Sequence, residues 1–149
     1  MSQKPDFEYL DHVADIRFVA RGMTLENVFE NAAIATLSVI ADISTIQPQT
    51  NFEINLETVS LENLMVDFLS ELLFLFDAEE TVLGDISVKE VGEKTENGEE
   101  MWFISAAVSG EPIDAACQNF KTEVKAVTYN GIRVDETPEG FEAEVVLDL

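Results

Sequence analysis

A broad apolar stripe between residues 61 and 77 constrains the fold more than any other feature of the chain. Ser60 precedes it and is suited to cap the N-terminus of a helix. Its apolar residues recur at helical spacing: Leu61, Leu64, Met65, Phe68, Leu69, Leu72 and Phe76, widened by Leu73 and Leu75. Because so wide a stripe has to be covered, we expect this amphipathic helix to lie flat on a sheet.

A second amphipathic helix is predicted over 24–41, where apolar residues again follow helical spacing and Thr24 is suited to the N-cap. We expect Asn27, Glu30 and Asn31 to face water on this helix. Segments with strand-like alternation flank both helices: 16–20, 52–58, 82–91, 101–109 and 141–148. The chain is therefore expected to be an α+β two-layer sandwich, with a mixed or antiparallel sheet packed against two main helices in a single domain spanning 1–149.

Some connections between the helices and strands are predicted definitely, and others are left with two alternatives. We expect a polar hairpin over 92–98 and a turn over 137–140. The segment 110–122 is expected to be irregular or to contain a helical turn. Residues 125–129 favour a strand but also permit a helix, and Asn130-Gly131 after them is either a tight hairpin turn or a bulge.

The charge balance excludes several classes of function. The 149 residues include 30 acidic and only 8 basic side chains, for a net charge of −22. Since nucleic-acid binding depends on Lys and Arg neutralising phosphates, strong direct binding of RNA or DNA is not expected. Such a surface suits a basic protein partner, bound cations or a saline cytoplasm. The single Cys117 allows no intrachain disulfide, and no segment suits a membrane span, so we expect a cytoplasmic protein.

One carboxylate near each end of the chain suggests a metal site. Asp15 follows the only histidine, His12, and Asp148 precedes Leu149. If the strands that carry them are adjacent, both carboxylates meet near the terminal carboxylate of Leu149, giving oxygen ligands for a hard cation. The alternative is that Asp15 opens a turn and Asp148 ends a solvated strand.

Other polar residues give weaker indications. Asp67 and Glu71 lie four residues apart on the polar side of the second helix, which indicates either a solvated face or a partner-facing patch. Glu111 is expected in a loop, and Lys125 is either a strand-edge lysine or part of a salt bridge that organises the acidic site. The sequence contains no nucleophile motif, phosphate-binding glycine loop or zinc-ligand spacing, so no catalytic residues are predicted.

Taken in order, several segments resemble the archease family. They are HVAD at 12–15, TLENVFENAA at 24–33, LMVDFLSELLFLFD at 64–77, GE at 110–111, KTEVKAVTY at 121–129 and VVLDL at 145–149. The resemblance covers nearly the whole chain. It implies a non-enzymatic protein cofactor of the GTP- and manganese-dependent ligase that joins tRNA halves, promoting guanylylation of the ligase and repeated turnover.

The resemblance also implies a divalent-cation site at Asp15, Asp148 and Leu149, with calcium the expected ion and manganese or magnesium as alternatives. His12, Asp67, Glu71, Glu111, Lys125 and Asn130 are candidate supporting or partner-contact residues. Many archeases carry histidine where this chain has Asn130, so any imidazole chemistry at that position is absent here. The alternative function is a general chaperone or interaction module that exposes the apolar stripes transiently.

Overall fold

The computed structural model describes residues 5–12, 15–116 and 120–149. Within them, seven strands form two antiparallel sheets, and two long helices pack against both sheets. The elements in chain order are β1 Asp6–His12, β2 Asp15–Gly22, α1 Leu25–Ile40, a 3-10 turn Ile43–Thr45, β3 Thr50–Thr58, α2 Leu61–Ala78, β4 Thr81–Glu96, β5 Glu99–Pro112, α3 Ile113–Ala116, β6 Ala126–Thr137 and β7 Gly140–Asp148. This arrangement confirms the predicted α+β sandwich.

The two sheets have the strand orders β1-β2-β7-β6 and β3-β5-β4. All strand pairs are antiparallel, and the first and last parts of the described chain meet where β2 pairs with β7. This pairing is the arrangement that a carboxylate site at both ends of the sequence requires.

Both predicted helices begin where their capping residues indicate. The Thr24 hydroxyl accepts a hydrogen bond from the Asn27 amide, and the Ser60 hydroxyl accepts one from the Asn63 amide, each at 3.1 Å. Most residues of both apolar stripes are buried in one core, where the rings of Phe29 and Phe68 lie 6.1 Å apart, and Leu25, Leu61 and Phe76 pack against it partly buried. Burial of these stripes against the sheets gives the helices most of their stability.

The four-stranded sheet has one apolar face and one charged face. Side chains alternate along β7, so that Ala143, Val145 and Leu147 are fully buried while Glu144 and Asp148 lie on the opposite side. The same alternation places Phe18 in the core and Asp15 on the opposite side. We call this second, solvent-facing side of β1, β2, β6 and β7 the charged face.

Some elements differ from the sequence-based expectations. Strand β1 was not predicted, and the polar segment 92–98 is mostly strand rather than hairpin loop. The turn itself is Asn97-Gly98, with φ of 53° and 81°, as expected of a two-residue turn between antiparallel strands. The β4–β5 hairpin continues beyond Thr58 and Trp102, the last residue pair of β3 and β5. The outer part of the hairpin is therefore two-stranded, and its residues are mostly polar.

The structure of β6 resolves the alternatives that the sequence left open for residues 125–131. Residues 126–129 belong to β6, so the helical alternative is wrong, and the backbone irregularity between Thr128 and Arg133 makes Asn130-Gly131 part of a bulge instead of a hairpin turn. Gly131 has φ of 74°, a conformation that favours glycine. Glu111 lies in β5 and not in a loop, because β5 extends to Pro112. Cys117 lies outside the described residues.

None of the helices in the described part of the chain is both long and apolar enough to span a bilayer.

Candidate metal centre

The carboxylates of Asp15 and Asp148 are brought together by the register of β2 and β7. The two residues are direct cross-strand partners, and both are exposed on the charged face. Directly opposed residues in an antiparallel pair have Cβ atoms about 4.5–5.5 Å apart. The two side chains can therefore converge on a single ion.

Two like charges opposite each other destabilise a sheet. The Asp15–Asp148 pair is therefore an unfavourable arrangement for strand pairing alone, although the other residues of β2 and β7 support the register. A cation between the two carboxylates would remove this repulsion.

Three residues adjoin the pair through a main-chain hydrogen bond, the sequence or strand pairing. The main-chain N–H of Lys125 donates to the Asp148 carbonyl oxygen at 2.8 Å, so Lys125 is adjacent to the site through its backbone, and its side chain is exposed. Leu149 is partly buried against the core, which fixes the main chain that follows Asp148. His12 pairs with Ile16 across a β1–β2 irregularity, and its side chain lies outside what the structure describes.

The donor set fits a hard cation but is small. Carboxylate and main-chain oxygen atoms are the ligands that calcium, magnesium and manganese prefer. Over residues 5–12, 15–116 and 120–149, however, no cluster of three or more His, Cys, Asp or Glu side chains is placed to hold a metal ion. A metal ion held by Asp15 and Asp148 would therefore need further oxygen ligands from main chain, water or a binding partner.

An ion-pair network covers the charged face beside the pair. Arg133 contacts Asp135, Glu142 and Glu144, while Arg21 contacts Asp6, Glu8 and Glu142. Among the described residues, Arg17 makes one ion pair, 3.3 Å long, with Glu144. The network uses every arginine of the sequence, so these cations are neutralised by the chain's own acids.

Glu142 lies at the centre of this network, and its neighbours shift its pKa. Hydrogen bonding from Arg133, and then from Arg21, holds the pKa of Glu142 below its ordinary value of 4.5. The same contact with Glu142 raises the pKa of Arg133. The charged form of Glu142 therefore stabilises the folded sheet.

We expect Glu142→Gln to lower the free energy of unfolding at pH 7. Because the folded pKa is depressed, the contribution of Glu142 is complete above pH 4.5 and is lost as the pH falls through the folded value. The stability gap between the two proteins should thus close in acid. Urea denaturation from pH 7 to pH 3 measures this gap, and an equal gap at both ends would contradict the assignment.

The remaining predicted residues lie elsewhere. Asp67 and Glu71 are partly exposed on α2, whereas Glu111 lies in the three-stranded sheet with only 5% of its surface exposed. The side-chain amide of Gln49 donates to Glu111 at 3.5 Å. Asn130 is exposed in the β6 bulge, where its N–H donates to the Thr128 hydroxyl. These four residues do not join Asp15 and Asp148 at the paired ends of β2 and β7.

Two glutamates of α1 have a role that the sequence did not indicate. Glu30 and Glu26 accept hydrogen bonds from the Val88 and Val91 amides at 3.0 and 2.9 Å, which satisfies donors along the β4 edge. Asn31 donates to the Arg21 carbonyl oxygen at 2.6 Å. Glu30 and Asn31 thus connect α1 to strands. The prediction that they simply face water is wrong. The sequence did carry one signal for this role. Glu26 and Glu30 are four residues apart, a spacing that puts both carboxylates on one side of a helix.

Comparisons with known proteins agree with the family resemblance of the ordered sequence segments. A sequence model of the Archease protein family matches residues 7–149. Protein archease of Methanosarcina barkeri is 47% identical over 148 residues, covering 99% of each chain. Protein archease of Thermococcus gammatolerans is 39% identical over 144 residues, covering 96% of this chain and 98% of the relative.

A solved structure supports the same relationship. The solution structure of Methanobacterium thermoautotrophicum protein 1598 superposes with a TM-score of 0.78 at 30% sequence identity. It covers 96% of this chain and 98% of the other. With a family match over nearly the whole sequence and a shared fold, the chain belongs to the archease family.

Proposed function

We propose that this protein is a non-enzymatic cofactor of the GTP- and manganese-dependent tRNA-splicing RNA ligase, and that it promotes guanylylation and multiple turnover of that ligase. The observation that carries the proposal is the Asp15–Asp148 pair in a chain whose family membership extends over 7–149. An exposed carboxylate pair of this kind supplies the charged oxygen atoms that a hard cation prefers.

The proposed metal site uses Asp15, Asp148 and the main-chain oxygen atoms of Leu149. Asp15 and Asp148 supply negative charge from adjacent strands, and packing of Leu149 against the core orders the backbone beside them. Calcium is the expected ion, with manganese or magnesium as alternatives. When bound, the ion would neutralise the carboxylate repulsion and leave coordination positions for water or for a ligand from the partner.

The proposed partner surface is acidic, and the ligase must expose basic surface to hold RNA. Electrostatic complementarity raises association rates and favours one orientation of docking. Because the arginines of the charged face are neutralised by their own acids, they do not cancel the attraction at Asp15 and Asp148. Asp67, Glu71 and Asn130 are exposed or partly exposed and remain candidates for additional partner contacts. Direct tight binding to nucleic acid is not expected, because the sequence has only eight basic residues to neutralise phosphates.

The apolar stripes that suggested the chaperone alternative lie mostly in the core of the described structure. Their largest members, including Phe29, Phe68 and Leu72, are fully buried in the core. A chaperone would need these side chains exposed to contact unfolded clients. The stripes are accounted for by the fold itself.

A multiple-turnover RNA ligation assay tests the proposal. With ligase limiting, adding this protein should raise the number of ligations per ligase molecule and speed formation of the guanylylated ligase. Suppression of aggregation should be weak for unrelated client proteins. Unchanged ligation, or equal protection of many unrelated clients, would contradict the role as a ligase cofactor.

A further inference from the structure

Arg17 lies beside the carboxylate pair on the charged face. It follows Asp15 by two residues on β2, so the two side chains point to the same side of the sheet. Its direct partner on β7 is Val146, which is flanked on that face by Asp148 on one side and Glu144 on the other. Diagonal neighbours of this kind have Cα atoms about 7–8 Å apart, within reach of a long side chain. Arg17 can therefore pair with the carboxylate of Asp148 or with that of Glu144.

The structure places Arg17 on Glu144. Arg17 Nη1 lies 3.3 Å from one Glu144 carboxylate oxygen, while Arg133 Nε donates to the other oxygen at 3.1 Å. Arg133 also contacts Glu142 and Asp135, so Glu144 is held from its far side by an arginine that is itself fixed. Arg17, in contrast, is about half exposed and has this single ion pair among the described residues.

We infer that Glu144 is a positioning residue that holds the Arg17 guanidinium away from Asp15 and Asp148 and so sets their affinity for a divalent cation. A guanidinium pairs readily with carboxylates and would occupy the oxygen atoms that the metal requires. Without the Glu144 charge, Arg17 can turn to Asp148, its diagonal neighbour on β7, or to Asp15, two residues before it on β2. This inference rests on the proposed metal site and specifies how its neighbours control it.

The arrangement explains how a cation site can persist next to an arginine. Arg17 carries like charge to the ion and weakens its binding through space, yet the Glu144 carboxylate balances that charge at contact distance. The Arg17 charge weakens ion binding in full only when the Arg17–Glu144 ion pair separates. Glu144 acts through Arg17 and need not touch the ion.

Calcium titration by calorimetry in 0.1 M salt tests the inference on the purified full chain. Glu144→Gln should bind calcium roughly two- to fivefold more weakly than the wild type, as expected from losing one surface ion pair and gaining a competing one. Arg17→Ala should bind at least as tightly as the wild type. In the Arg17→Ala background, Glu144→Gln should cost much less, because there is no guanidinium left to release.

Glu142→Gln is the matched control. It removes the same charge from the same strand and face and also loses a contact with Arg133, but it leaves the Arg17 ion pair in place. Its calcium affinity should stay close to that of the wild type. Thermal unfolding without calcium confirms that each variant is folded before its affinity is compared.

The outcomes separate this inference from the metal site itself. If Asp15→Asn leaves calcium binding unchanged, the proposed site is wrong and the inference fails with it. If Asp15→Asn abolishes binding but Glu144→Gln matches Glu142→Gln, the site stands and the role of Glu144 is overturned. An equal loss from Glu144→Gln with and without Arg17 would also overturn it, since the effect would then be charge loss alone.

Discussion

Phe68→Ala should lower the free energy of unfolding by about 3–5 kcal/mol, the usual cost of removing a buried phenylalanine ring. Phe68 is fully buried between the sheets and α1, and its ring packs against Phe29 at 6.1 Å. Truncation would remove the ring from the core and leave a cavity that the surrounding side chains close only in part. Urea denaturation monitored by circular dichroism measures the loss.

Phe74→Ala on the same helix provides the control. The Phe74 side chain is 55% exposed, so its removal should change stability by no more than about 0.5 kcal/mol. Ligase activation by Phe68→Ala should decline only in proportion to its unfolded fraction. A Phe68 variant as stable as the Phe74 variant would show that α2 is not the centre of the core.

Calcium or manganese should stabilise the folded protein, and Asp15→Asn or Asp148→Asn should remove most of that effect. A ligand that binds only the folded state stabilises it by mass action, by about 2.7 kcal/mol at a concentration of 100 times Kd. Asparagine keeps the size and one carbonyl oxygen but loses the charge that a hard cation needs. Differential scanning calorimetry with and without metal measures the shift in Tm.

The same two variants should have the opposite effect without metal. Each removes one of two like charges that face each other across β2 and β7, so the metal-free variants should be as stable as the wild type or slightly more stable. Equal metal-induced shifts in all three proteins would exclude the Asp15–Asp148 site and indicate diffuse screening of the acidic surface.

Local features of the fold could be read from the sequence because their signals lie within a few residues. Thr24 and Ser60 mark helix starts through hydrogen bonds to amides three residues later, and the stripe around Phe68 follows helical spacing. Strand β1 carried a usable signal, since Phe7 and Tyr9 alternate with polar residues, but it was not predicted. The extent of β4 and β5 was underestimated because their outer residues lack the apolar alternation of a covered sheet.

The site could be predicted only in part because it depends on pairing between distant segments. Position and composition suggested that Asp15 and Asp148 might converge, and the antiparallel β2–β7 pairing places them as direct partners. The register itself was not readable, since it is fixed by the whole sheet. The Arg17–Glu144 contact joins residues 127 positions apart, and nothing near either residue in the sequence indicates it.

Ligase activation by Asp15→Asn and Asp148→Asn tests the central claim most directly. The protein is titrated against a fixed, limiting amount of ligase in a multiple-turnover ligation assay, and each variant is first shown to unfold cooperatively. We expect both variants to remain folded and to lose activation, because the carboxylate pair and not the fold alone is required. Wild-type rates and half-saturating concentrations in both variants would contradict the carboxylate mechanism, leaving activation to arise from other surface contacts.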